Sequence, residues 1–391
     1  MIIELNDTTS AKISSAIVKA RRSIGSPASG MVLTLIVPVE ERNFDDALQA
    51  CLAAGREHPS RILIVVAGRG RRHRLDAEVR IGELPGEIIV VRVAGDIARH
   101  ADSVVLPLLL PDTPVVVWWP GNSPEDPGRD TLGALGDRRI TDAMGAVRPL
   151  KALEVRARHH APGDTDLTWT RITPWRVLLA ASLDQYPAPI SAVSIEAARD
   201  NAPANLLAAW LECRLKVDVQ RVDSRGPGIT AVRMTTPAGD IAITREDGLL
   251  ASYLVPGQPK RLVALRRREV NQLLAEELRR MDHDDIFEAA SQMLVTRLER
   301  ATRRTAAKKA ARKSAPAKKT AAAKKAAPAK KSTSAAKKTT SAAKKTTSAA
   351  KKTTSAAKKT TAARKTAPAK AASAKKTPAR STRKASGRTN G

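Results

Sequence analysis

All 39 acidic residues of this 391-residue chain lie before residue 301, whereas 29 of its 68 lysines and arginines lie from Arg303 onward. That leaves 39 basic residues against 39 acidic ones in the preceding part, a formal net charge of zero. The chain therefore joins two physically different materials, an electrically balanced body and a polycationic segment. The overall charge of +29 is a property of the second alone, so it does not make the body a nucleic-acid-binding globule.

From Thr302 onward the sequence is almost wholly Ala, Lys, Thr, Ser, Arg and Pro, with no acidic or aromatic residue. Such a segment buries too little apolar surface to offset the entropy of ordering it, so residues 302–391 are expected to be disordered. Within it Lys-Lys-Thr-Thr-Ser-Ala-Ala recurs, placing lysine pairs at Lys337 and Lys338, Lys344 and Lys345, Lys351 and Lys352, and Lys358 and Lys359. If the segment turned helical on a polyanion, successive pairs would drift by only about 20° and share one face. Runs this cationic bind polyanions through counterion release. Duplex DNA is the favoured target, with RNA and polyphosphate open, and a charge run that merely aids solubility is the alternative. Without aromatic side chains to stack on bases, and with a single Asn and no Gln, binding is expected to ignore sequence. The composition resembles the tails of linker histones and of some bacterial nucleoid proteins.

In the body, residues 8–24 have helical spacing, with Thr8 as cap and Ile13, Ile17 and Ile24 near one face. The apolar runs 31–39 and 62–67, joined by a helix over 44–58, predict a βαβ unit with strands buried on both sides. Residues 75–81 and 87–93 read as strands around the turn Leu84-Pro85-Gly86, 96–110 as helical at its start, and 114–119 as another strand. Residues 1–150 are thus expected to form an α/β domain with a mostly parallel sheet. Next, Thr173 is placed to cap a helix with Pro174 in its first turn, and 204–215 reads as an amphipathic helix. Residues 229–235 and 241–245 flank hairpin turn chemistry, 249–254 and 261–265 form one more strand pair, and helices start near Arg268 and Asp284. This predicts an α+β domain over 151–301.

Two cysteines, Cys51 and Cys213, share no CxxC spacing, which argues against a disulfide framework and a zinc site. The acidic start, residues 1–7, lacks the basic region of a secretory signal. The most apolar stretch, 103–120, is too interrupted by proline to span a bilayer. A cytoplasmic protein without membrane contact is expected, with nucleoid association left open by the tail.

Gly68-Arg69-Gly70 follows a strand as a phosphate-cradling loop would, and Arg71, Arg72 and Arg74 add charge. A strand follows, however, and neither a Walker A pattern nor a complete GxGxxG exists, so a basic surface turn is the preferred reading. His159-His160 lacks a companion ligand at metal spacing and reads as exposed loop histidine. Asp282, His283, Asp284 and Asp285 read as acidic residues favoured beside a helix start. No nucleophile and base arrangement can be assembled, so no catalytic residue, cofactor or metal is expected, and a binding protein is preferred over an enzyme. Any small-molecule site is expected outside the carboxyl ends of the strands, near 68–72, Gly95 and 118–122. Trp118 and Trp119 must point to opposite faces of their strand, either both into the core or one into a crevice.

Several stretches together closely resemble the OpcA family of glucose-6-phosphate dehydrogenase assembly proteins from actinobacteria and cyanobacteria. They are His58-Pro59-Ser60-Arg61 entering a strand, Leu110-Pro111-Asp112-Thr113-Pro114 leading to Trp118-Trp119-Pro120-Gly121, Asp137-Arg138-Arg139-Ile140-Thr141-Asp142, and Asp166-Leu167-Thr168-Trp169-Thr170-Arg171 before Thr173-Pro174-Trp175-Arg176. The likeness covers residues 1–300; the basic tail departs from the family pattern. It implies a non-catalytic partner of glucose-6-phosphate dehydrogenase that promotes its active oligomer in the oxidative pentose phosphate pathway. An activator of this kind binds the active form better than the inactive one. His58, Arg61, Trp118, Trp119, Arg138, Arg171, Trp175 and Arg176 are the expected contacts, because exposed Trp and Arg dominate hot spots. The rival readings are a nucleoid-associated DNA-binding protein and a sugar-phosphate enzyme using the 68–74 turn.

Overall fold

The computed structural model describes residues 1–25, 30–68, 70–82 and 86–314, with side chains up to Ala310. Arg69, Leu84-Pro85 and the lysine pairs of the tail lie outside the described residues. The first half supplies strands β1 (Ile2–Leu5), β2 (Leu33–Glu40), β3 (Ser60–Ala67), β4 (Arg74–Ile81), β5 (Glu87–Ala94), β6 (Val115–Trp118), β7 (Arg138–Thr141) and β8 (Asp164–Asp166). They form one eight-stranded sheet in the order β1-β4-β5-β3-β2-β6-β7-β8. The six strands from β5 to β8 in that order run parallel, while β4 and β1 add an antiparallel edge. This is the expected mostly parallel sheet, and its last strand comes from Asp164–Asp166.

Alternation decides which helix each strand residue meets. On one face Ile36, Leu63, Val65, Ile89, Val117 and Trp119 pack with Ile13 and Ile17 of α1 (Ser10–Ile24). On the other, Leu35, Val37, Ile62, Ile64, Val116 and Trp118 pack with Phe44, Leu48 and Cys51 of α2 (Phe44–Glu57). Trp118 and Trp119 do occupy opposite faces, and both are buried. The cap of α1 is Thr9, whose side chain accepts from the Lys12 N–H at 3.3 Å. Thr8 instead donates its backbone N–H to the Leu75 carbonyl, and Ile24 is exposed. A 3-10 turn leads into the short α3 (Ala101–Val105), and α4 (Pro149–Arg158) precedes β8.

The later residues form α5 (Leu167–Gln185), β9 (Ala192–Ala197), α6 (Ala202–Leu215), β10 (Val219–Asp223), β11 (Ile229–Thr236), β12 (Gly239–Thr244), β13 (Leu250–Leu254) and β14 (Arg261–Ala264). Their strands make a second, six-stranded sheet ordered β10-β9-β11-β12-β13-β14. Only β9 and β10, joined by α6, are parallel. The helix α6 is not amphipathic as its pattern suggested: Ala204, Leu206, Leu207, Ala208, Ala209 and Leu211 are all buried, because other helices and the sheet surround it. The next helix, α7 (Val270–Glu277), returns to the first sheet, placing Leu273, Leu274 and Ala275 beside α2.

The last helix, α8 (Asp285–Ser314), runs into the segment expected to lack structure from Thr302. Phe287, Ala290 and Leu294 anchor it in the second core, whereas residues 301–310 are all exposed. Alanine, lysine and arginine are strong helix formers, so a helix nucleated by packing propagates through them without further burial.

Candidate functional site

The motif residues converge on α5, and its start is held by a buried carboxylate. Asp166 caps the helix by accepting the Thr168 N–H at 2.8 Å, and also accepts Thr141 Oγ1 at 2.6 Å and the Ala143 N–H at 3.0 Å. Asp142, one position past β7, grips Arg171 through two parallel bonds of 2.6 and 2.8 Å. From β7, Arg138 reaches Glu277 of α7 and donates to the Asp282 carbonyl at 2.8 Å. Glu277 in turn accepts Thr170 Oγ1 at 2.5 Å. This buried polar chain ties β7, α5 and α7 into one frame. Arg139, its neighbour, pairs with Asp164 and donates to the Gly136 carbonyl at 2.8 Å.

Thr173 and Pro174 do not begin a helix. Asp166 caps it seven residues earlier, and Pro174 sits inside. A proline there removes the N–H that the Thr170 carbonyl would accept. Arg268 supplies the missing donor, Nη2 to the Thr170 oxygen at 2.5 Å. The Trp169 indole donates to Asp284 at 2.8 Å, and the Arg176 guanidinium lies 3.4 Å from the centre of the Trp169 ring. Burial lowers the Arg176 pKa to about 10, opposed by Asp284, Glu277 and Glu276. Burial pushes the Asp284 carboxyl up, but bonds from the Phe287 N–H and Trp169 outweigh it and hold the group below the usual carboxylate range.

Of the eight expected contact residues, Arg171, Trp175 and Arg176 lie on α5 and Arg138 reaches toward it from β7, while Arg61 sits on β3, Trp118 and Trp119 at the end of β6, and His58 just past α2. The expectation that these Trp and Arg side chains are exposed is corrected. Arg61, Trp118, Trp119, Arg138 and Trp175 are all buried. Arg61 pairs with Glu87, which Arg21 also holds, and donates to the Leu108 carbonyl at 2.5 Å. His58, half-buried, bonds the Ala275 carbonyl at 2.8 Å and so links the end of α2 to α7.

His160 is not an exposed loop histidine. It is half-buried, stacked on His283 at 6.0 Å and edge-on to Phe287 at 5.6 Å. With Glu288, which His283 bonds at 2.8 Å, the two histidines bring ligand atoms within 4.8 Å of one another. Only the packing of α8 against the loop after α4 could reveal this grouping; nothing local in the sequence signals it.

Two cavities matter. One of about 410 Å³ lies at the carboxyl ends of the parallel strands, lined by Val39, Glu40, Asn43, Ala67, Trp119 and Asn122 among others. It is the crevice expected there, with Asn122 bonded to Glu40 at 2.8 Å across its mouth. Its charged lining residues, Glu40 and Asp130, are both acidic, which does not suit a phosphate. Beside this cavity the Gly95 N–H donates to the Gly70 carbonyl, and Arg74 is paired with Asp76. The second cavity, about 160 Å³, opens at the far side of α5 and is lined by Arg171, Arg245, Arg266, Arg267 and Arg268 above Trp175.

A protein-family model described as the glucose-6-phosphate dehydrogenase subunit N-terminal domain matches residues 52–158, and one described as its C-terminal domain matches residues 162–291. Together they take in more than half the chain. The chain belongs to the OpcA family. A putative OxPP cycle protein OpcA from Synechocystis sp. is 27% identical over 139 residues, which is 33% of this chain and 29% of that protein. The match thus spans under a third of that OpcA relative's length. Among solved structures, an oxidoreductase from Sinorhizobium meliloti superposes with a TM-score of 0.35 at 12% identity, over 72% of this chain and 90% of that one. An oxidoreductase domain protein from Kribbella flavida gives 0.41 at 10% identity, over 68% and 95%. Likenesses this loose carry no argument about the activity of an OpcA chain. Among the described residues no helix is long and apolar enough to cross a membrane.

Proposed function

We propose that the chain is a non-catalytic assembly factor that binds glucose-6-phosphate dehydrogenase and favours its active oligomer, so raising flux into the oxidative pentose phosphate pathway. The family match over 52–158 and 162–291 carries this reading. The side chains of the shared motifs support it: Arg61, Arg138, Arg139 and Arg171 are committed to internal carboxylates, as suits a frame that presents a surface. Of the expected contacts, His58, Arg171 and Arg176 keep part of their surface and stay in the proposal. To them we add the outer face of the second sheet, where Leu250 and Leu254 of β13 and Leu262 of β14 are 52, 40 and 70% exposed on adjoining strands. Exposed apolar patches of this kind mark interaction sites.

The lysine-rich tail is a second, separable element that holds DNA or another polyanion without sequence preference. Deleting residues 315–391, which leaves α8 whole, tests both parts. The truncated protein is expected to stimulate the dehydrogenase as the full chain does while losing salt-sensitive DNA binding. Loss of stimulation on truncation would favour the reading in which the body is only a scaffold for the tail.

A further inference from the structure

The arginine cavity beside α5 is electrically one-sided. Five of its fourteen lining residues are arginines and none is a carboxylate. Two of the five are neutralised from outside, Arg171 by Asp142 and Arg268 by Glu276. Arg245, Arg266 and Arg267 make no ion pair among the described residues. Arg245 is only 5% exposed. It donates to the Leu265 carbonyl at 2.6 Å and the Ile229 carbonyl at 3.1 Å, its guanidinium lies 5.1 Å from the Trp175 ring centre, and its Nε has no partner. Burial and the nearby charge of Arg267 both lower its pKa, with exposed Asp247 opposing them.

Arg245 and Arg267 converge on the backbone of Gly228. A Cβ placed there would stand 2.7 Å from Arg267 Nη2 and 3.6 Å from Arg245 Nη2, and φ is +78°. The glycine keeps the space between the two forks open. Opposite them, Asn201 and Pro203, the cap and first turn of the fourteen-residue α6, line the same cavity, so a helix N-terminus adds its positive end. A desolvated, unpaired cation beside a second cation is unfavourable unless an anion joins them. Guanidinium forks and a helix start suit tetrahedral phosphate oxygens best, and a dianion answers this surplus better than a monocarboxylate does.

We propose that this cavity is a binding site for the phosphate group of a small phosphomonoester. The site lies in the second half of the chain and stands independently of the assembly role. Arg245 and Arg267 hold the phosphate oxygens, and Trp175 forms the apolar wall.

The test is the melting temperature of the full chain in millimolar inorganic phosphate or glycerol 3-phosphate, against chloride and acetate at equal ionic strength. A ligand that binds folded and unfolded chain equally shifts nothing, so a rise reports a folded-state site rather than general cation binding. Phosphate in either form is expected to raise Tm by a few degrees, with the larger rise from glycerol 3-phosphate if the ester is the ligand and from inorganic phosphate if the free anion is. Arg267→Gln, an exposed position, is expected to weaken that binding about tenfold or more. Arg22→Gln on α1, with the same loss of charge, is expected to leave it unchanged. No rise over chloride, an equal rise in acetate, or an equal loss in the two variants would overturn the proposal.

Discussion

Arg268 Nη2 stands 2.5 Å from the backbone oxygen of Thr170, the carbonyl that Pro174 leaves without a helical donor. A side chain from the segment before α7 thereby completes the hydrogen bonding of α5. Arg268→Gln is expected to cost about 1–3 kcal/mol, the range for orphaning a buried acceptor. In a Pro174→Ala background the new backbone N–H serves the same oxygen, so the second loss is expected to shrink by about 1 kcal/mol. Urea denaturation of the four proteins measures this coupling. Additive losses would show that Arg268 acts only through Glu276.

The Arg138–Glu277 pair crosses from β7 to α7 with both side chains more than nine-tenths buried. Removing one partner strands the other charge. Glu277→Gln and Arg138→Met are each expected to destabilise by about 3–5 kcal/mol, whereas the double replacement Arg138→Met with Glu277→Leu is expected to cost less than either. Denaturation midpoints of the three variants decide it. A double variant as weak as the sum of the singles would mean that the pair itself, rather than burial of an unpaired ion, stabilises the frame.

Acid sensitivity is expected below about pH 6.5. Burial lowers the His160 pKa against the pull of Asp164 and Glu288, with His283 and Arg139 adding to the lowering. Because the folded value lies below the unfolded one, the unfolded chain binds the extra proton first as pH falls. The contribution is therefore complete above the unfolded value and lost as pH drops through the folded one. A Tm series from pH 7.5 to 5 is expected to decline, and His160→Gln to flatten the decline. A Tm decline unchanged in that variant would assign the effect to other groups.

The exposed leucines of the second sheet give a binding prediction. Leu262→Lys, at 70% exposure, is expected to leave Tm within about 0.5 kcal/mol equivalent while weakening the complex with the dehydrogenase at least tenfold. Pull-down and titration calorimetry read both. Unchanged affinity would move the contact to the α5 side, where Arg171 and Arg176 keep surface.

Apolar runs made the centre of the first sheet legible from local pattern alone: β2, β3 and β5 each carry Leu, Ile or Val at five of their eight positions. The strands β7 and β8 were not, because Arg138-Arg139 and Thr165-Asp166 are buried, and Asp164 half-buried, by pairing with each other and with α5 and α7, a long-range effect that local hydropathy does not register. The same cause hid Arg245, which ends a hairpin strand in sequence and becomes the floor of an anion cavity only when Arg267 and α6 are folded against it. Pro174 misplaced the start of α5, since its preference for a first turn yields once Arg268 supplies the missing bond. The motif residues were recognisable, but their exposure was not: tryptophan and arginine serve surfaces and frames alike, and here Trp118, Trp119 and Trp175 serve the frame.

The assembly role itself is tested most directly by adding the purified full chain stepwise to glucose-6-phosphate dehydrogenase from the same source, while light scattering follows mass and NADPH absorbance follows rate. Mass and specific activity are expected to rise together and saturate at a fixed ratio of the two proteins. Saturating addition that changes neither the mass of the dehydrogenase nor its rate would contradict the account.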